Sequence, residues 1–236
     1  MLNQVFDAEW KGSYGELLTE RELKLVQLFG RSGKTLRNVY VPKDNGETSE
    51  IDVLFITQKG IFVIESKNYS GWIFGDADST YWTAMLPNRQ KNFFYNPVKQ
   101  NETHIRWLGR YLDGGVPLFS LIVFSERCEL KRISVPSPDV SIIKRDQTYA
   151  TVRSIWEGSP NVLGKEQVNA IYEKLAQLAY KEAAQASVVR SEAILRLILF
   201  RSYAFPFGTV RVTGHSPYQL PRCFAWYSLC SFLFRL

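Results

Sequence analysis

Two residues near the end of one apolar run have the types and spacing for chemistry. In "GIFVIESKNYSG" (60–71), Glu65 and Lys67 stand one residue apart, which sets a carboxylate and an ammonium group on the same face of a strand. The preceding run, "SEIDVLFIT" (49–57), carries Asp52, and the intervening "QKG" reads as a hairpin turn. With Gln58 and Lys59 as a two-residue turn, Asp52 lies opposite Glu65. A turn centred on Lys59 and Gly60 sets it opposite Lys67 instead. Either register gathers Asp52, Glu65 and Lys67 on one face, whereas a three-residue turn with a bulge at Gly60 breaks that parity.

Two carboxylates this close repel unless one takes up a proton or a cation sits between them. Hard divalent cations such as Mg²⁺ prefer carboxylate oxygens, keep several waters and accept phosphate oxygens as further ligands. Such an ion lowers the pKa of a bound water and screens charge on a phosphoryl centre. Lys67 would then orient the attacking water or offset the charge of the transition state. Its ordinary pKa of about 10.4 makes it a poor base unless burial depresses it. Against this stands a plainer reading, a surface ion pair on an edge strand with Asp52 as a strand-end polar residue. The flanking "DVLFI" and "IFVIE" are apolar on both faces, which favours central strands.

Further groups could join the centre. Glu16 and Glu20, one turn apart on a first helix, can bring a third carboxylate, although a helical Glu near an N-terminus commonly caps or is solvated. Gln100, one turn into a second helix, can hydrogen-bond phosphate or water, although Gln is also simply a good helix former. His104, one turn on from Gln100, reads as structural. Trp72, Trp82, Tyr81 and "NFFY" could stack nucleic-acid bases, but strand aromatics are more often core.

The elements that must position these groups are legible in outline. "SYGELLTERELKLVQLF" (13–29) predicts a helix capped by Ser13, with Glu16 in a capping box, Gly30 at its end and Leu18, Leu25 and Phe29 on a buried stripe. Short β-type runs follow at 37–41, 49–57 and 60–67, then "GWIF" and "YWTAM" around the "GDADS" turn. Asn96 and Pro97 open a second helix as cap and first helical residue. Runs 116–125 and 140–145 predict two more strands, and Val168, Ile171, Leu175, Leu178, Val189 and Leu197 keep helical spacing. This order argues for an α/β (α+β) fold, a mixed β-sheet flanked by helices. The expected organisation is a domain over 1–150, a helical extension of it over 151–200, and an unassigned aromatic, arginine-containing tail over 201–236.

With 236 residues, 45% of them hydrophobic, the chain can bury one good-sized core. Met1 is followed by no apolar h-region, and no run reaches the ~18 apolar residues of a spanning helix. Cys128, Cys223 and Cys230 fit neither a disulfide framework nor a zinc motif, so the cytoplasm is the expected compartment, with no membrane partner. The net charge is +6, but residues 1–150 hold 19 basic and 18 acidic side chains, so the excess lies beyond them. Tight nonspecific DNA binding would need basic groups from "KRISVP", the C-terminal arginines or a second subunit.

In "GELLTERELKLV" (15–26), "NVYVP" (38–42), "EIDVLFITQKGIFVIESKNYSG" (50–71), the tryptophan at 82 and "NPVKQNETHIRWL" (96–108), the chain resembles the NERD (nuclease-related) domain family of the PD-(D/E)XK restriction-endonuclease-like superfamily. The resemblance covers about residues 12–125. It implies a restriction-endonuclease-like mixed sheet flanked by helices and Mg²⁺-dependent hydrolysis of DNA phosphodiesters, with Mn²⁺ as an alternative ion. By residue-wise match, Glu16 falls on the acidic position of the first helix, Asp52 on the metal-binding Asp, Glu65 and Lys67 on the E-x-K pair, and Gln100 on the glutamine of the second helix. The metal ligands so implied are Glu16, Asp52 and Glu65. A centre that cuts one strand would need a homodimer for double-strand cleavage, by analogy alone. Two other readings keep the fold without turnover: a nucleic-acid-binding module, and an interaction domain in which these residues are structural.

Overall fold

A computed structural model describes residues 15–24, 32–135 and 137–179. Helix α1 (15–24) is followed by β1 (Gly33–Pro42), β2 (Thr48–Thr57) and β3 (Gly60–Lys67). Then come β4 (Gly71–Asp76), β5 (Tyr81–Met85), β6 (Lys91–Tyr95) and α2 (Pro97–Tyr111). Strands β7 (Leu118–Phe124), β8 (Cys128–Ser134) and β9 (Val140–Lys144) lead into a 3₁₀ turn (Arg145–Gln147), α3 (Thr148–Gly158) and α4 (165–179).

The strands form two mixed sheets. The larger has the order β1-β2-β3-β7-β9, antiparallel from β1 to β3 and parallel from β3 to β9. The smaller has the order β6-β5-β4-β8, with only β4 and β8 parallel. The expected α+β class is what forms, and β2 and β3 are interior strands, as their apolar faces require. The second sheet is more than the sequence suggested: "GWIF" and "YWTAM", expected only as a further strand or hairpin, pair antiparallel, and "KNFFY" and "CELKRIS" complete the sheet.

Each face of the larger sheet buries a separate core. On one side Leu54, Ile56, Ile61 and Val63 pack with Leu108 of α2 and with Val168, Leu175 and Ala176 of α4. On the other, Val53, Phe55, Phe62 and Ile64 meet Leu23 of α1 and Val152 of α3. Residues 148–179 thus share the cores of the strands before them. Trp82, Ile73 and Phe94 of the small sheet pack on Val98 of α2 and on Ile122 and Phe124 of β7. Helix α1 buries Gly15, Thr19 and Leu23, while Leu18 is only half-buried; the stripe expected through Leu18 lies one position away from the observed one. Ser13, Leu25, Phe29, Gly30, Val189, Leu197 and the 201–236 tail lie outside the described residues.

The β2–β3 turn is the two-residue form, Gln58 and Lys59, because Thr57 pairs with Gly60. Gly60 has φ of 135°, and a Cβ there would lie 2.4 Å from the Pro117 carbonyl oxygen, so this position has room only for glycine. The Thr57 hydroxyl donates to the Gly60 carbonyl and accepts from the Lys59 N–H, closing the turn.

Candidate active site

Strand β3 delivers the acid and the ammonium group together. Glu65 is 1% exposed, and Lys67 Nζ stands 2.6 Å from its Oε1. The second carboxylate oxygen, Oε2, lies 3.1 Å from His104 Nε2, and His104 Nδ1 is 2.7 Å from the Ser49 hydroxyl. An ionised carboxylate can only accept, so Nε2 carries the proton, and a neutral ring then accepts from Ser49 at Nδ1. Lys67 also donates to Gln100 Oε1 at 3.0 Å.

Helix α2 is held so that both Gln100 and His104 face this point. The Asn96 side chain accepts from the Val98 N–H while its amide donates to the carbonyls of Asp76, Ala77 and Ser79. Asn101 donates to the Val63 carbonyl and to the Ser120 hydroxyl, tying the helix across β3 and β7. Pro97 occupies the first turn, where its missing N–H leaves no helical bond unmade.

Asp52 reaches the site differently from a regular ladder position. The β2–β3 register stops at Val53↔Ile64, and the β1–β2 register passes from Arg37↔Val53 to Val39↔Ile51, leaving Asp52 unpaired beside Asn38, whose φ is 51°. In the gap, Asp52 Oδ2 accepts the Ser66 N–H at 2.7 Å, standing in for the missing backbone partner. Glu16, on α1, approaches from the other side. The Thr19 and Ser66 hydroxyls are 3.3 Å apart, and a Cβ on Gly15 would lie 3.1 Å from Asn68, so the helix sits close over the end of β3.

The protonation preferences follow from these contacts. Burial would raise the Glu65 carboxyl, but the His104 hydrogen bond and the Lys67 charge outweigh it and hold it below the usual range. Burial would depress Lys67, yet the Glu65 carboxylate holds its ammonium form above the ordinary value. Lys67 is therefore a fixed cation and not a base. Asp52 lies well above the usual carboxylate range, through burial first and the like charge of Glu65 second, with the Ser66 N–H opposing. Glu16 is raised by burial and by Glu50, against the pull of Arg37, and its Oε2 is buried with no hydrogen-bond partner.

Asp52, Glu65, Lys67 and Gln100 thus meet at the end of β3, and Glu16 lies on the helix above it. Among the described residues, no three His, Cys, Asp or Glu side chains are grouped so as to hold a metal ion by themselves. Mg²⁺ does not need three, since one or two carboxylates with water and substrate oxygens suffice. Asp52 and Glu65 suit such an ion, because a cation beside them would offset the like charge that keeps Asp52 from ionising, and Glu16 on the overlying helix carries a buried oxygen with no hydrogen-bond partner. His104, a structural histidine by its sequence context, touches Glu65 directly. Its spacing of four from Gln100, on the same helical face, was the available signal. Ser49 gave none.

A family model described as "Nuclease-related domain" matches residues 11–125, a segment that contains every one of these side chains. An uncharacterized protein of Bacillus anthracis is 34% identical over 164 residues, covering 70% of this chain and 74% of that protein. No solved structure matches the chain. Among the described residues no helix is long and apolar enough to cross a membrane. With the motif residues assembled at one strand end and the relative spanning most of both chains, this chain belongs to the nuclease-related domain (NERD) family.

Proposed function

We propose that the chain is a Mg²⁺-dependent endonuclease that hydrolyses DNA phosphodiester bonds, acting in the cytoplasm in bacterial-type DNA processing or defence. One observation carries the reading: a buried Glu65–Lys67 pair at the end of an interior strand, with the reluctant carboxylate of Asp52 beside it. Salt bridges built only for stability are seldom placed next to a second buried acid, because the extra like charge costs stability. Asp52 and Glu65 would hold Mg²⁺ or Mn²⁺, with Glu16 as a further carboxylate. Bound there, the ion would supply a more acidic water and charge screening at phosphorus.

The protein's own groups do the rest. Lys67, kept charged by Glu65, presents a fixed positive charge to the oxygens on which negative charge develops. Gln100 accepts from Lys67 through Oε1, so its amide N–H groups stay available to a phosphate oxygen or the attacking water. His104 and Ser49 fix the Glu65 carboxylate in one orientation. A second reading, a nucleic-acid-binding module without turnover, is favoured by the engagement of both Glu65 oxygens, by Lys67 and by His104.

Calorimetric Mg²⁺ titration and plasmid nicking, on wild type and on Asp52→Asn and Glu65→Gln, separate the two. The nuclease reading expects binding and nicking in the wild type and the loss of both in the variants. Nicking that persists equally in Glu65→Gln, or a wild type that binds no Mg²⁺ at millimolar concentration with DNA present, refutes it.

A further inference from the structure

The outer face of the small sheet is built of aromatics that the core does not use. Alternation along β5 and β6 sends Trp82, Ala84 and Phe94 inward and Tyr81, Phe93 and Tyr95 outward. Phe93 is 70% exposed, Tyr81 61%, Tyr95 46% and Trp72 41%, the last lying on the same face through its pairing with Met85. Tyr81 and Tyr95 are direct cross-strand neighbours with ring centroids 6.3 Å apart. Single exposed aromatics are ordinary; four on one sheet face are a patch that selection against aggregation would remove without a use.

Charge and position give that use. Lys131, ion-paired with Glu129, stands over the Trp72 ring at 5.7 Å, while Arg132 pairs opposite Phe74 and Lys91 precedes Phe93 by two residues on the same face. Cations interleaved with exposed rings suit a chain that carries a phosphate and a base at every unit. The patch also leads to the candidate active site. Tyr95 lines a cleft of about 370 Å³ whose other walls include Lys43, Gln100 and His104, the last two bonded to Lys67 and Glu65.

We propose that this face is a stacking platform for single-stranded nucleic acid, which it feeds past Tyr95 to the Glu65–Lys67 centre. In a duplex the base faces are covered by their neighbours, so only an unpaired strand can offer them to Phe93 and Tyr81. A four-stranded sheet with exposed aromatics accommodates about two or three bases. The inference rests on the nuclease reading for what happens at the centre, but the binding it describes stands apart from catalysis.

The test is fluorescence anisotropy in EDTA, with a labelled oligothymidylate of about twelve nucleotides and a duplex of equal length. Wild type, Glu65→Gln and the double variant Phe93→Ala/Tyr81→Ala are compared, with the thermal midpoint as a check on folding. The expected result is tighter binding of the single strand, retained in Glu65→Gln and weakened about tenfold per aromatic removed in the double variant. If the wild type nicks no DNA yet shows this pattern, the nuclease reading fails and the platform stands. Unchanged single-strand affinity in the folded double variant overturns the platform even if the protein is a nuclease. So does a shift from dimer to monomer in sedimentation with that affinity unchanged, which would make the face a contact between two copies of the chain.

Discussion

Replacing Lys67 by methionine removes the charge beside Glu65 while keeping most of the side-chain volume. Unit charges 2.6 Å apart attract by about 6 kcal/mol at an effective dielectric of about 20. Desolvation of the two ions cancels much of that, at several kcal/mol each, so the intact pair adds little to the net. The variant is not neutral for that reason. It abolishes the attraction but leaves Glu65, 1% exposed, still desolvated. An uncompensated buried charge costs about 3–5 kcal/mol. His104 remains at 3.1 Å, and a hydrogen bond to a charged group recovers about 1.5–3 kcal/mol. The difference is a loss of about 2 kcal/mol. The double variant Glu65→Gln/Lys67→Met removes both charges while leaving an amide oxygen to accept the His104 Nε2–H, and should be more stable than the single variant. Urea unfolding in EDTA at neutral pH, followed by tryptophan fluorescence, reads both values from the midpoints if the slope is unchanged. A Lys67→Met midpoint equal to wild type, or a double variant less stable than the single, refutes the reasoning.

Two further outcomes follow from the same neighbourhood. The raised Asp52 carboxyl favours the fold when protonated, below an unfolded value of about 3.9, and that contribution is lost as pH rises through the higher folded value. In the proposed nuclease, Mg²⁺ would bind the ionised form and offset the loss, so the thermal shift it produces should be larger at pH 8 than at pH 5; equal shifts would remove Asp52 from the ligand set. Asn96→Ala deletes a helix cap and the donor to three carbonyls, and should cost about 2–4 kcal/mol. Calorimetry should record this as a fall in melting temperature of about 2–4 °C per kcal/mol, and a fall under 2 °C would show that the cap is redundant.

What the sequence disclosed was mostly local. The Asn96–Pro97 helix start depends on a few adjacent residues and forms where their chemistry puts it, whereas "QKG" announced a turn but left its register open, and Gln58–Lys59 is the alternative that forms. Glu65 and Lys67 share a face because period two is a property of any strand. Strand β8 was invisible: "CELKRIS" is polar and largely exposed, and it becomes a strand only by pairing in parallel with β4, more than fifty residues earlier. The route of Asp52 into the site was also beyond pattern reading. Face parity put it with Glu65, but the carboxylate arrives through an interruption of both ladders, which depends on the unusual backbone of Asn38. His104 looked structural because nothing local distinguishes a histidine that braces a core from one that braces a carboxylate.

The turn at Gln58 lies at the far end of the β2–β3 hairpin from Glu65, and later parts of the chain hold it there. The Gln58 carbonyl accepts from the N–H groups of both Val162 and Leu163, and Lys59 donates to the Ser159 carbonyl. Leu163, Val168 and Leu175 then complete the core beneath the same hairpin, while β9 shields the flank of β7. The match to the family model ends at residue 125, before any of these. The boundary of the family model is therefore narrower than the boundary of the shared core, and the similarity to the relative, over 164 residues, runs past that boundary. A fragment cut at the limit of the family model would keep every motif residue yet lose the anchor that keeps their hairpin in place, and sequence exchange between relatives would have to move the two parts as one.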